Sequence, residues 1–112
     1  MKRILPYLAT FSLLVFSLNA KAVDDIENGA QKYQTNCLVC HGTKGLGDGP
    51  GAATLSHKPA NLAKKVNSLF SFKFMMSNAV LNGKVDQGMP AWKGILTKQD
   101  TYDIFAYIKS IQ

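Results

Sequence analysis

Two hydrophobic patterns divide the chain. Residues 4–18 are almost continuously apolar, interrupted only by Pro6, Thr10 and serines. Beyond residue 22 the apolar positions recur at helical spacing. Ile26, Ala30 and Tyr33 fall at i, i+4 and i+7 and predict a first helix. Asp24 or Asp25 can cap its start, with Glu27 near its positive end. Ile104, Tyr107, Ile108 and Ile111 predict a last helix over about residues 98–110. Thr97 and Asp100 open it as a capping box with Asp in place of Glu. Between these, a middle helix is expected from Asn67 or Ser68 to Asn82. Phe70, Phe74, Val80 and Leu81 would line its buried side, and Gly83 would stop it. Phe70, Phe72 and Phe74 also alternate as in a strand, but no partner strand is evident.

The remaining segments are loops. Residues 42–51 contain five glycines and Pro50, too many for a regular element. Residues 52–62 read as loop with one helical turn, and residues 84–96 as a loop around Gly88-Met89-Pro90-Ala91-Trp92. Gly29, inside the first helix, costs about 1 kcal/mol against alanine. It makes sense where a second backbone crosses close by. The fold class expected is all-α, with three main helices and long glycine-rich loops.

Composition and charge refine this outline. Lys2 and Arg3, the apolar run and Ala20-Lys21-Ala22 form the three parts of a secretory signal peptide over residues 1–22. The apolar run falls short of the roughly 20 residues that cross a bilayer. No cysteine follows the cleavage point to suggest a lipid anchor. Removing 22 of the 112 residues leaves a 90-residue domain, residues 23–112, with no membrane span. So small a domain gains from a covalent staple. The charge of +6 includes Lys2, Arg3 and Lys21, so the processed chain is about +3 before any cofactor is added. No arginine remains to clamp phosphate, and nucleic-acid binding is not expected. Scattered lysines form a solvated surface or a docking face for an acidic redox partner.

The chemistry lies in Cys37-Leu38-Val39-Cys40-His41. Cys-x-x-Cys-His reads as an attachment site for haem c. Two thiols on one turn reach the two vinyl groups on one edge of the macrocycle, and the adjacent imidazole can bind iron. Zinc would want four protein ligands, and only His57 remains beyond these three residues. A thioredoxin-like pair would want a preceding strand, and a plain disulfide leaves His41 unexplained. The sixth iron ligand is a soft atom or a second imidazole. Met89, in a loop fixed by Pro90, is preferred to His57, while Met75 and Met76 read as core filling.

These residues resemble the monohaem class I cytochromes c of bacteria, small periplasmic proteins. The resemblance rests on Gly29, Tyr33, Cys37, Cys40, His41 and Gly42 at their mutual spacings. It extends to Gly45-x-Gly47-Asp48-Gly49-Pro50, Pro59-Ala60-Asn61-Leu62, Gly83-Lys84, Met89-Pro90-Ala91-Trp92 and Tyr107-Ile108. It covers nearly all of residues 23–112. Residues 70–76 are richer in Phe and Met than the family leads one to expect. The resemblance implies the cytochrome c fold, one covalent haem c, His41 as proximal ligand and Met89 as distal ligand. It also implies N- and C-terminal helices that cross, with Gly29 admitting Tyr107 or Ile104.

Position suggests further roles. A carbonyl of the Gly49-Pro50 loop is expected to accept from the second ring nitrogen of His41. Trp92 is expected at the haem edge or in the core. Asn61 is expected to cap a turn rather than bond a propionate. The function expected is one-electron transfer in the periplasm, as a free monomer or a small subunit of a respiratory complex. The alternative is a haem enzyme or gas sensor in which Met89 leaves the iron.

Overall fold

The computed structural model describes residues 13–15, 23–68 and 72–112. Apart from residues 13–15, the segment expected to be a signal peptide lies outside them, as does Phe70. Among the described residues, five helices follow in order: α1 (Ile26–Asn36), α2 (Leu38–His41), α3 (Leu62–Val66), α4 (Lys73–Asn82) and α5 (Lys98–Ser110). Two 3-10 turns, Ala52–Thr54 and Val85–Gln87, punctuate the loops. Among the described residues there is no strand, only two isolated bridges, Lys84 with Met89 and Lys93 with Leu96.

The sequence explains both ends of the fold. Asp25 caps α1 by accepting from Asn28 N at 2.9 Å. Thr97 and Asp100 form a reciprocal capping box at the start of α5. The two helices cross where Gly29 faces the backbone of Asp103 and Ile104; even a methyl group on Gly29 would run into the Asp103 carbonyl. Of the predicted α1 stripe, Tyr33 is fully buried, Ala30 is half-buried and Ile26 is exposed. Tyr33 packs against Tyr107, with ring centroids 5.6 Å apart. With Val66, Leu96, Ile104, Phe105 and Ile108 it makes the core.

A polar lock sits beside this crossing. The buried Asp103 carboxylate accepts from Asp25 N at 2.8 Å, Asn28 Nδ2 at 2.7 Å and Gln99 Nε2 at 2.9 Å. Three donors make its burial tolerable and tie the start of α1 to α5.

The middle of the chain departs from the expectation of one helix from residue 67 or 68. Asn67 instead ends the separate helix α3, its Nδ2 donating back to Ala63 O at 2.8 Å. The longer helix α4 begins only at Lys73. Its expected stripe also shifts, because Phe74 is exposed. The buried position is Ser77, whose hydroxyl lies 2.6 Å from the Thr101 hydroxyl of α5. A small hydroxyl pair lets α4 approach α5 where a phenyl ring would not fit. Asn61 does cap, accepting from Lys64 N at 2.9 Å.

Gly29→Ala should lower stability by about 2 kcal/mol, because overpacking at a backbone crossing outweighs the gain in helix propensity. Denaturant unfolding checks this; an unchanged or higher midpoint would contradict it. The Asp100 carboxyl is held below the usual carboxylate range by the Thr97 backbone hydrogen bond, with help from Asn28. A depressed carboxyl stabilises the fold above its unfolded-state pKa, and the benefit is lost as pH falls through its folded value. Asp100→Ala should therefore cost about 1 kcal/mol at pH 7. The gap to wild type should close below about pH 4. A gap independent of pH would contradict the assignment.

Candidate functional site

Cys37 ends α1, and α2 carries Cys40 and His41 one turn further on. So short a helix cannot satisfy its own carbonyls. The glycine-rich loop does it instead. Gly42 N donates to Leu38 O at 2.9 Å, Gly51 N to Val39 O at 2.7 Å, Gly49 N to Cys40 O at 3.0 Å and Gly47 N to His41 O at 2.9 Å. Side chains on this loop would hold it off; a Cβ at Gly49 would meet the backbone of Val39 and Cys40. The glycines are thus the reason the loop can wrap the motif.

The same wrapping corrects one expectation. Gly47, Gly49 and Gly51 turn their N–H groups toward α2, and no carbonyl of the Gly49-Pro50 loop is the partner of His41. The acceptor is Ala60 O, 3.0 Å from His41 Nδ1. Leu62 N and Ala63 N, both bonded to Gly45 O at 2.6 and 3.2 Å, hold that segment in place. With Nδ1–H donating to Ala60, the lone pair of Nε2 is free to ligate. Burial pushes the His41 pKa down, only partly offset by the Ala60 bond, so the imidazole favours the neutral form a metal needs.

A cavity of about 340 Å³ opens beside this motif. Cys37, Cys40, His41, Met89 and Trp92 all line it, and so does His57. Pro50 does not; it is exposed and only shapes the turn. Leu55, Val80, Ile104 and Phe105 give the cavity apolar walls. The two thiols are unbridged. Burial pushes Cys37 up to about 12, with Cys40 adding to the effect, so the thiol is neutral and suits an apolar wall. A larger, shallow hollow of about 510 Å³, bordered by Leu46, Asn61 and Lys64, holds no thiol, thioether or imidazole.

Met89 is positioned by a closed turn. Lys84 and Met89 exchange both backbone hydrogen bonds, at 2.9 and 3.0 Å. Gly88 completes the turn at φ +90, a left-handed conformation that favours glycine. Trp92 is half-buried and packs against the core as well as facing the cavity. Met76 does the same from α4. Core filling, expected of Met76, is therefore half of its role: Met76, Ala79 and Val80 share one helix face and all reach the cavity.

Residues 26–112 match the profile of the family described as Cytochrome c. The chain belongs to the cytochrome c family. Cytochrome c6 of Thermosynechococcus vestitus is 31% identical over 101 residues, covering 87% of this chain and 80% of the relative. Cytochrome c6 of Nostoc sp. is 36% identical over 94 residues, covering 83% and 76%. A 1-butanol dehydrogenase (cytochrome c) of Thauera butanivorans is 31% identical over 86 residues, which is 76% of this chain. The chain spans only 11% of that protein's length. A chain of the reducing HAO-like protein complex of Kuenenia stuttgartiensis shares the fold, with a TM-score of 0.64 at 22% identity. There the match covers 77% of this chain and 43% of the neighbour.

As a cytochrome c, the chain carries one covalent haem c with its iron and serves haem-based electron transfer. Its cavity fits that group. Two free thiols sit three positions apart, an imidazole is buried with one nitrogen bonded to backbone, and the walls are largely apolar. Among the described residues, no three His, Cys, Asp or Glu side chains cluster as a metal site of their own.

Proposed function

We propose that this cytochrome is an exported one-electron carrier whose iron is held between His41 and Met89. Haem c supplies an iron that gains and loses one electron. Cys37 and Cys40 would hold the macrocycle through thioether bonds. The observation that carries the reading is that Met89 and His41 line one cavity with both cysteines. His41 is oriented by Ala60, and Met89 by its backbone pairing with Lys84. With His41 and Met89 both holding the iron, no position on it would remain for a substrate, so the chain is read as a carrier and not an enzyme. The backbone bonds that brace His41 and Met89 would keep the ligands alike in the two oxidation states, and methionine ligation would raise the potential.

Export is supported by the tripartite pattern of residues 1–22 and suits a periplasmic location. Among the described residues, no helix is long and apolar enough to cross a membrane. Every lysine after residue 22 except Lys32 is exposed, a surface suited to redox partners with acidic faces. The domain could serve as a free monomer or as a subunit of a respiratory complex.

Oxidised wild-type protein should show the weak far-red absorption band of sulfur-ligated ferric haem. Met89→Ala should abolish it and let carbon monoxide bind the reduced protein rapidly. Met76→Leu should keep the band. If Met76→Leu loses it, or rapid ligand binding already occurs in wild type, the carrier reading gives way to an enzyme or sensor with a labile distal site. Raising ionic strength toward 1 M, where the screening length is about 3 Å, should slow electron transfer to an acidic partner protein severalfold. A rate insensitive to salt would remove the acidic-partner assignment.

A further inference from the structure

The charges around the cavity are one-sided. Besides His41, its lining includes His57, Lys58, Lys65 and Lys84, and it includes no Asp or Glu. All four side chains are exposed, so they stand at the mouth and not in the apolar interior. None of them takes part in an ion pair among the described residues, where Lys73 with Asp24 is the pair formed.

Three of the four come from two loops that touch. Leu55 Cδ2 packs so closely on Gly88 that a side chain at Gly88 would begin 2.9 Å from it. That contact brings the segment carrying His57 and Lys58 against the turn that starts at Lys84. The His57 ring bonds Ser56 Oγ through Nδ1 at 3.1 Å, which leaves Nε2 available. An apolar cavity with an uncompensated basic mouth fits a ligand with an apolar body and an anionic end. Haem has that form, with its propionate carboxylates on one edge.

We propose that His57, Lys58 and Lys84 form a clasp for the haem propionates, and that the charge on His57 helps to set the redox potential. The proposal rests on the haem reading above. Lys58 and Lys84 supply fixed positive charge, while histidine is the side chain that changes charge between pH 5 and 8. Lys65 faces the same mouth from α3. Asp86, on the 3-10 turn after Lys84, is exposed and does not line the cavity. Reduction adds one electron at the iron and makes the site more negative. The reduced form therefore binds the His57 proton more tightly, drawing it from solvent. The potential must then fall as pH rises across the range in which a histidine side chain loses its charge.

The experiment is a spectroscopic redox titration from pH 5 to pH 8 of the haem-loaded wild type, His57→Gln and Lys84→Gln. In wild type the redox equilibrium constant should change roughly three- to tenfold, about 30–60 mV at 59 mV per tenfold for one electron. His57→Gln should flatten that slope. Lys84→Gln should lower the potential at every pH and keep the slope, since the backbone pairing with Met89 survives the change. A flat wild-type profile, an unchanged slope in His57→Gln, or an unchanged potential in Lys84→Gln overturns the clasp. If the basic mouth serves only an acidic protein partner, the three potentials coincide, which also overturns it. Absence of the far-red band in wild type would count against Met89; the clasp is still read from the potentials, and a changed haem spectrum in His57→Gln would make His57 an iron ligand and overturn the clasp.

Discussion

The hydrogen bond between His41 Nδ1 and the Ala60 carbonyl is the contact on which the site depends. A buried imidazole can rotate, exchange tautomers or take up a proton, and each of these would spoil it as a ligand. One backbone acceptor opposes rotation and selects the useful tautomer, and burial opposes protonation. The acceptor is itself held, because Gly45 O binds the next two N–H groups after Asn61. Behind His41, glycine N–H groups close off the carbonyls of α2. The motif is therefore fixed from two directions by backbone alone, and no second side chain is needed.

The α1–α5 crossing gives that local arrangement a rigid base. Cys37 is the C-terminal cap of α1, so the first thiol is placed by the helix that Gly29 allows to meet α5. From α5, Thr101, Ile104 and Phe105 reach the cavity wall. Tyr33 joins the two halves. Its ring packs on Tyr107, and its hydroxyl donates to Gly42 O, directly after the haem motif. Burial, with Cys37 nearby, pushes that phenol up to about 12, so it remains a donor. The small core thus does two jobs, since the helices that stabilise the domain also aim its thiols.

Much of this was legible in the residues because it rests on short-range rules. The caps of α1 and α5, the buried stripe of α5 and the close approach at Gly29 follow from spacing and residue type. The attachment motif names its own chemistry. What stayed hidden depends on tertiary contact. Asn67 suits either end of a helix, and only its bond to Ala63 O shows that it serves the end of α3 and not the start of the next helix. The hydrophobicity of Phe74 predicts an inward place, but the approach of α4 to α5 is set by Ser77 and Thr101 and leaves Phe74 exposed. The nearest turn suggests a partner for His41, but only folding brings Ala60 O, 19 residues further on, within 3.0 Å of its Nδ1. Met76 and the basic mouth are brought to the cavity by folding, from positions far apart in sequence.

The family identity establishes haem and electron transfer, and the cavity adds which side chains could complete the iron's coordination. His41 and Met89 are each braced by backbone hydrogen bonds, whereas His57 stands on an exposed loop at the mouth. The account therefore turns on the atom opposite His41. X-ray absorption at the iron edge of the oxidised and reduced protein reads that atom directly. The account predicts one imidazole and one sulfur as axial ligands in both oxidation states. Two imidazoles, or a sixth ligand that changes or disappears on reduction, would contradict it.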